Sequence, residues 1–479
     1  MVDKNISISE YHGLAKNSLW VMFSNISMLF VLALTIFASR LLGDSVFGQY
    51  VYLLAVTTIL SELCVLGTTD YASILIAQEA EKTSLIMANT LGMRIPSSIL
   101  YIALCLSVTW FSMPDILIAA FLIALDWVVR SVVHLFHGVF RARNQFQLDA
   151  IVTIQERVSV LVCALIGLYF ERNLVYFAFG ILVGRAIGMA ICIVAFCRFG
   201  ERFSIGFNID LWRDIIRNSI PIGIRGLLKG GSFRIDALML GVLRTNAEVG
   251  WYGAVYKFLE AGFFFTEAVG GAVRPVIAKA YSQGEKNIIS DYFGRCYKLL
   301  LIVGSIIVGI VFVYADQIIA LVYGSEYMNS VSTLKVLIFA MLMVFGSMIS
   351  VTVFDAIGLQ HKTVWCFVVS LLINILLNFI LIPKFGIIGA AWSTLITECF
   401  LTIVLLRIAL KAGYRFPFVW FYGPLVACAS FLSISVLIKG FSTLLGVGLG
   451  FIAFTLVLKA LSVLDEVDIG YAKMVFQGK

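Results

Sequence analysis

Apolar stretches of about twenty residues, each long enough to cross a bilayer as a helix, follow one another along almost the whole chain. In hydrocarbon the backbone must satisfy its own hydrogen bonds, which leaves only helices or a closed barrel. Barrel strands are alternating segments of roughly ten residues, and these runs are too long and too uniformly apolar for that. Candidate spans lie near 18–40, 46–67, 86–110, 114–138, 149–170, 173–197, 219–243, 250–273, 298–323, 331–354, 363–383, 386–410, 417–437 and 441–462. The expected fold is therefore all-α: a polytopic membrane protein of about fourteen transmembrane helices. Composition agrees, since 13% of the 479 residues are charged, against about 25% in soluble domains. The polar 1–16 segment and the length of the run behind it do not fit a cleaved signal peptide.

Basic residues cluster in alternate loops. Arg141 and Arg143 follow the fourth span, and Arg198, Arg202, Arg213 and Arg217 follow the sixth. Lys279, Lys286, Arg295 and Lys298 follow the eighth, and Lys411 and Arg415 the twelfth. The intervening loops carry only Arg40, Arg172, Arg244, Lys384 and Lys439. The positive-inside rule then puts both termini and the basic loops in the cytoplasm. The net charge of +7 is accounted for by this bias and by anionic lipid headgroups, so membrane lipids are the expected partner and nucleic acid is not.

A weak internal repeat is visible. Asn17-Ser18 and Asn218-Ser219 open the first and seventh spans, and the turns around Gly48-Gln49-Tyr50 and Gly250-Trp251-Tyr252 open the second and eighth, at offsets of 201 and 202 residues. Six spans is an even number, so the copies share one orientation, as in parallel-repeat transporters with a site near the midplane. The expected organisation is two six-helix lobes, 1–200 and 219–412, joined by an interfacial cytoplasmic helix at 201–218 and followed by a helix pair and tail at 413–479. The last pair is nearly free of charge, which sets it apart as accessory.

Charge within the spans is the functional signal, because an Arg or Lys at the centre of a lipid-facing helix costs about 2.5–3.5 kcal/mol. Arg225, Lys229, Arg234 and Asp236 fall inside one apolar stretch. On an ideal helix Arg225, Lys229 and Asp236 lie within about 40° of one another, with Arg234 opposite. Pro221 and Gly230-Gly231 are places to kink or unwind it. Arg supplies bidentate contacts and Lys a point charge, so a phosphate or diphosphate suits the set; a structural ion-pair network with Asp236 is the alternative. The fourth span carries Asp126, Arg130, His134 and His137 on one face, with Asp126 and Arg130 spaced for an i,i+4 pair. The eighth carries Lys257, Glu260, Glu267 and Arg274, and Glu260 is placed to neutralise Lys257. Glu62, Glu156, Arg157, Arg185 and Glu398 complete the intramembrane charges, with Asp355 near an inner end. The substrate-binding candidates are thus Arg225, Lys229, Arg234, Arg130 and Lys257. The coupling or ion-pair candidates are Asp236, Asp126, Glu260, Glu267, Glu62, Glu398 and His134.

No phosphate-binding loop, nucleophile elbow or metalloprotease motif is present. The nine cysteines form no Cys-x-x-Cys pair and read as small buried hydrophobes. No catalytic residue, cofactor or metal is expected.

Several strings resemble the polysaccharide flippases of the multidrug/oligosaccharidyl-lipid/polysaccharide exporter superfamily. They are Arg40-Leu41-Leu42-Gly43 with Phe47-Gly48-Gln49-Tyr50, Arg234-Ile235-Asp236 with Gly250-Trp251-Tyr252, Tyr323-Gly324-Ser325-Glu326-Tyr327, and Gly386-Ile387-Ile388-Gly389-Ala390-Ala391-Trp392. The resemblance implies two lobes around a central cationic cavity that opens alternately to either side. It also implies an undecaprenyl-diphosphate-linked oligosaccharide as substrate, moved from the inner to the outer leaflet of a bacterial inner membrane for O-antigen or similar lipopolysaccharide synthesis. A polymerase and a chain-length regulator are the protein partners it suggests. Two rival functions stand beside it: an ion-coupled multidrug or small-molecule exporter of the same superfamily, and a membrane polysaccharide polymerase.

Overall fold

The computed structural model describes residues 20, 24, 27–198, 200–415, 417–438 and 443–465, with the side chains of 63, 64, 229, 443 and 444 outside that description. Among the described residues the chain is helical, without a β-strand. The helices are α1 (Met28–Val65), α2 (Thr68–Gln78), α3 (Thr83–Ser112), α4 (Leu117–Ala142), α5 (Phe146–Phe170), α6 (Leu174–Arg198), α7 (Ile209–Ser232), α8 (Ile235–Leu243), α9 (Asn246–Ser282), α10 (Lys286–Val313), α11 (Ala315–Val322), α12 (Val331–Ala356), α13 (Gln360–Lys411), α14 (Val419–Ile438) and α15 (Thr443–Ala460).

Two of the longest helices each hold a glycine in a conformation that other residues rarely adopt. α1 has 38 residues and is interrupted at Gly43 (φ 77°, ψ 169°). α13 has 52 residues and is interrupted at Gly386 (φ 59°, ψ −137°), three residues after Pro383. A side chain on Gly389 would start 2.4 Å from the carbonyl oxygen of Leu381, whereas eight residues of straight helix separate two positions by about 12 Å. The chain therefore doubles back there, and α13 contains the two spans expected at 363–383 and 386–410. Among the described residues, nine helical segments are long and apolar enough to cross a membrane, and α7 and α9 are not among them. Those two carry the charged stretches that already stood out in the sequence. The first expected span lies partly outside the described residues, and Asn17-Ser18 wholly so.

The chain divides into two compact units, Met1–Ala254 and Val255–Lys479. In the first, α5 packs along α6, α4 packs against α3 and α6, and α1 lies against α3, α5, α7 and α8. Leu135, Phe136, Phe140, Val152, Cys192 and Phe196 are fully buried in the core shared by α4, α5 and α6. The start of α9 belongs to this unit as well, and Trp251 Nε1 donates to Asp44 Oδ2 at 2.9 Å.

The segment expected as a separate linker helix at 201–218 is instead the extended stretch before α7 plus its first turns. Gly206 N–H donates to the Ala88 carbonyl at 2.9 Å, and Asn208 N–H donates to Asn89 Oδ1 at 2.7 Å. Asn208 then caps the helix, its side-chain oxygen accepting from the N–H groups of Asp210 and Leu211, both at 3.1 Å. Nothing between 209 and 220 breaks the hydrogen-bond ladder, so the helix continues into the apolar stretch and passes Gly230-Gly231 intact. It stops at Phe233-Arg234, and α8 restarts at Ile235. The single helical phase that aligns Arg225 with Asp236 is lost at this joint.

In the second unit α12 packs on α13, and α10 lies against α12 and α14. α14 and α15 pair through Ala427, Phe431, Phe454 and Leu458, seated on Ile302, Ile306 and Ile310 of α10. The described residues just after α15 are held by a clasp. Asp465 accepts from Arg295 Nη1 at 2.9 Å and from Lys298 Nζ at 3.5 Å. Lys298 Nζ also sits 4.3 Å from the centroid of the Trp420 ring at the start of α14.

Candidate anion site and its buried charge network

Six ionisable side chains run in file through the core of the first unit. Arg185 of α6 donates through Nε to Asp126 Oδ1 of α4 at 2.9 Å and through Nη1 to Glu156 Oε1 of α5. The second oxygen of Glu156 lies 3.3 Å from His137 Nε2, and His137 Nδ1 lies 2.6 Å from Asp149 Oδ1. Asp149 Oδ2 accepts from Arg141 Nε at 2.8 Å. Asp126, His137, Asp149 and Glu156 are all at most 6% exposed, while the Arg141 side chain is 58% exposed. Charges this deep persist because each carboxylate has a cation or a hydrogen-bond donor against it.

That pairing corrects an expectation. Asp126 does not pair with Arg130 one turn later, because Arg185 reaches it from the neighbouring helix with two donors, Nε and Nη2. Arg130 is left without a salt bridge among the described residues. Its guanidinium lies 4.6 Å from the centroid of the Trp127 ring, a cation–π arrangement that holds the charge without consuming its hydrogen-bond donors.

Arg130 has company. The Tyr50 phenol is within electrostatic reach of Arg130, Arg185, Arg234 and Asp126, and its ring packs edge-on to Phe177 at 5.0 Å. Arg130 in turn feels Arg157 and Glu156, and Glu62 feels Arg130, Arg94 and Asp70. Arg157 donates to Ser27 Oγ at 2.8 Å. Tyr50, Trp127, Arg130 and Arg234 are all half-buried. Arg234 reaches this region because the helix breaks beside it, at the α7–α8 joint packed on α1. Glu62 lies against α7, where a side chain on Gly226 would start 2.9 Å from its Oε2; Arg225, half-buried, is the preceding residue. The side chain of Lys229 is outside the described residues.

The remaining candidates are dispersed. Asp236 is buried and accepts from the Tyr252 hydroxyl at 2.7 Å. His134 is exposed, its ring 6.5 Å from that of His137. In the second unit Lys257 and Glu260 pair at 2.6 Å, as their spacing implies. Glu267 is exposed, and buried Glu398 accepts from Ser347 Oγ at 3.0 Å. Sequence reasoning passed over Asp149, Arg141, Tyr50 and Trp127 and left Glu156 and Arg185 unassigned. For Glu156 and Arg185 the signal was present as intramembrane charge on adjacent spans.

Residues 14–281, more than half of the chain, match the family model described as polysaccharide biosynthesis protein. This chain belongs to the polysaccharide biosynthesis protein family. A second model, MatE, matches residues 221–380 of this family member. The probable low-salt glycan biosynthesis flippase Agl15 of Haloferax volcanii is 27% identical over 226 residues, 46% of each chain. The chain spans about half the length of the curated relatives it matches. Among solved structures, the inward closed conformation of the lipid II flippase MurJ superposes with a TM-score of 0.72 at 15% identity, covering 94% of this chain and 99% of that one. The inward-facing conformation of a multidrug resistance MATE transporter of the MOP superfamily gives 0.67 at 16% identity, over 81% and 95%. These likenesses show the fold, a helical architecture shared with those membrane proteins.

Proposed function

We propose that this protein is a flippase that moves an undecaprenyl-diphosphate-linked oligosaccharide from the inner to the outer leaflet of a bacterial inner membrane. It does so by alternating access, with both termini in the cytoplasm, and supplies O-antigen or a similar surface polysaccharide. The observation that carries this reading is Arg130. It is an intramembrane guanidinium that, among the described residues, stays out of ion pairs and is stacked on Trp127, with Arg234 and the Tyr50 hydroxyl in the same neighbourhood. A structural cation would be expected to carry a carboxylate, as Arg185 does. A cation with donors to spare suits a diphosphate, which accepts from a guanidinium in bidentate fashion. Arg225 of α7 adds a further half-buried cation to the same unit. The protein translocates its substrate without altering it chemically, so no cofactor enters. A polymerase and a chain-length regulator act on the product.

The test is surface polysaccharide made by Arg130→Ala, Arg234→Ala and the double variant at matched expression. Loss in the double variant supports the assignment; undiminished polysaccharide overturns it. The MatE match over residues 221–380 favours a second reading, export of a small molecule. That reading expects a deletion strain with altered drug sensitivity and intact surface glycan.

A further inference from the structure

The imidazole of His137 has a carboxylate at each nitrogen: Asp149 Oδ1 at 2.6 Å from Nδ1 and Glu156 Oε2 at 3.3 Å from Nε2. A neutral imidazole has one N–H and one lone pair, and an ionised carboxylate only accepts. With His137 neutral and both acids ionised, one of the two contacts would set acceptor against acceptor. The trio is satisfied only when it holds one additional proton.

The charge balance of the whole file agrees. Asp126, Glu156 and Asp149 supply three negative charges, and Arg185 and Arg141 supply two positive ones. The buried network is neutral with that proton and carries a net charge of −1 without it. Other charged or titratable groups around His137 come from every side. His134 and Arg130 lie on its own helix. Cys192 of α6 is within electrostatic reach of Glu156 and Asp149. From α2, Asp70 feels Arg141 and Arg94. Thr153 Oγ1 approaches Nδ1 at 3.5 Å. The file ends at Arg141, whose side chain is 58% exposed, so the proton's way out of the network runs through Asp149.

We propose that His137 is a proton-binding site linked to the anion site. This rests on the diphosphate reading of Arg130 given above. Arg130 feels the charge of Asp126 and Glu156 directly. A proton on His137 cancels the excess negative charge beside Arg130 and favours an anionic headgroup there, and loss of the proton disfavours it. One unit charge acting over roughly 10 Å at an effective dielectric near 20 changes affinity by about tenfold. By linkage, the headgroup must raise proton affinity by the same factor.

The experiment measures binding of undecaprenyl diphosphate, the carrier without sugar, to the purified full chain in detergent across a pH series. Wild type is expected to bind about tenfold more weakly as pH rises and the site empties. The diphosphate's own ionisation would push affinity the other way. His137→Gln is expected to bind weakly at every pH, and His137→Lys, a permanent cation between the two acids, tightly at every pH. A wild-type profile in His137→Gln, or wild-type binding that is flat or strengthens with pH, overturns the proton site while leaving the anion site standing. Absence of binding by wild type at any pH overturns both. A second readout covers the case of His137 variants that fail to fold. Among the four histidines, one NMR titration midpoint, unaffected by His134→Asn, is expected to move up on adding the carrier. No movement in any midpoint overturns the linkage.

Discussion

Arg185 holds Asp126 by two nitrogens, at 2.9 and 3.4 Å, and so takes the carboxylate that Arg130 would otherwise claim from one helical turn away. The consequence is a division of labour between two guanidiniums in one lobe. One is consumed by structure and the other keeps its donors.

Removing the structural cation should be costly. Arg185→Met leaves Asp126 and Glu156 buried without their shared partner, and breaking a buried pair costs about 3–5 kcal/mol. A marked fall in the thermal unfolding midpoint of the detergent-solubilised protein is expected. Adding Asp126→Asn and Glu156→Gln should recover part of it, because neutral amides tolerate burial better than orphaned charges.

Removing the stack should weaken binding and leave folding intact. Trp127 is half-buried, and a cation–π contact is worth about 0.5–2 kcal/mol. Trp127→Leu is therefore expected to reduce carrier affinity by about two-fold to thirty-fold. Arg130→Lys should reduce it too, since an ammonium keeps the charge but not the planar fork. Carrier-binding isotherms check both, with the unfolding midpoint as the control for fold.

The reversal in α13 should depend on one residue. Gly386 has a positive φ of 59° with ψ of −137°, outside the regions open to L-residues. Gly386→Ala is expected to cost about 1–3 kcal/mol and to lower the yield of folded protein in the membrane, measured by fluorescence-detected size exclusion.

The fold class could be read from the chain because hydrophobic length is a local property. Runs such as 149–170 and 173–197 each became one helix, α5 and α6. The spans at 363–383 and 386–410 were read as two, and the chain reverses between them at Gly386. The site was legible only in part. Intramembrane charge marked Arg130, Arg234, Asp126 and Glu62, but partner choice depends on helix neighbours that spacing does not reveal. Periodicity paired Asp126 with Arg130 and could not anticipate a donor 59 residues further on. The α7 phase argument failed for a related reason. The glycine pair looked like the weak point, yet the ladder parts at Phe233-Arg234, where α7 and α8 each pack on α1. Asp149 and Arg141 were overlooked because one sits at a helix start and the other among loop cations, where charge is ordinary.

The grip of Asp465 on Arg295 and Lys298 bears on how the protein can be handled. α14 and α15 join the preceding helix by a short connection at one end, and this carboxylate is a second mooring at the other. A shortened version ending before 465 would keep every apolar helix yet leave Lys298, 3% exposed, facing Trp420 without that counter-charge. Trimming for crystallisation, or a fused reporter, belongs after that residue.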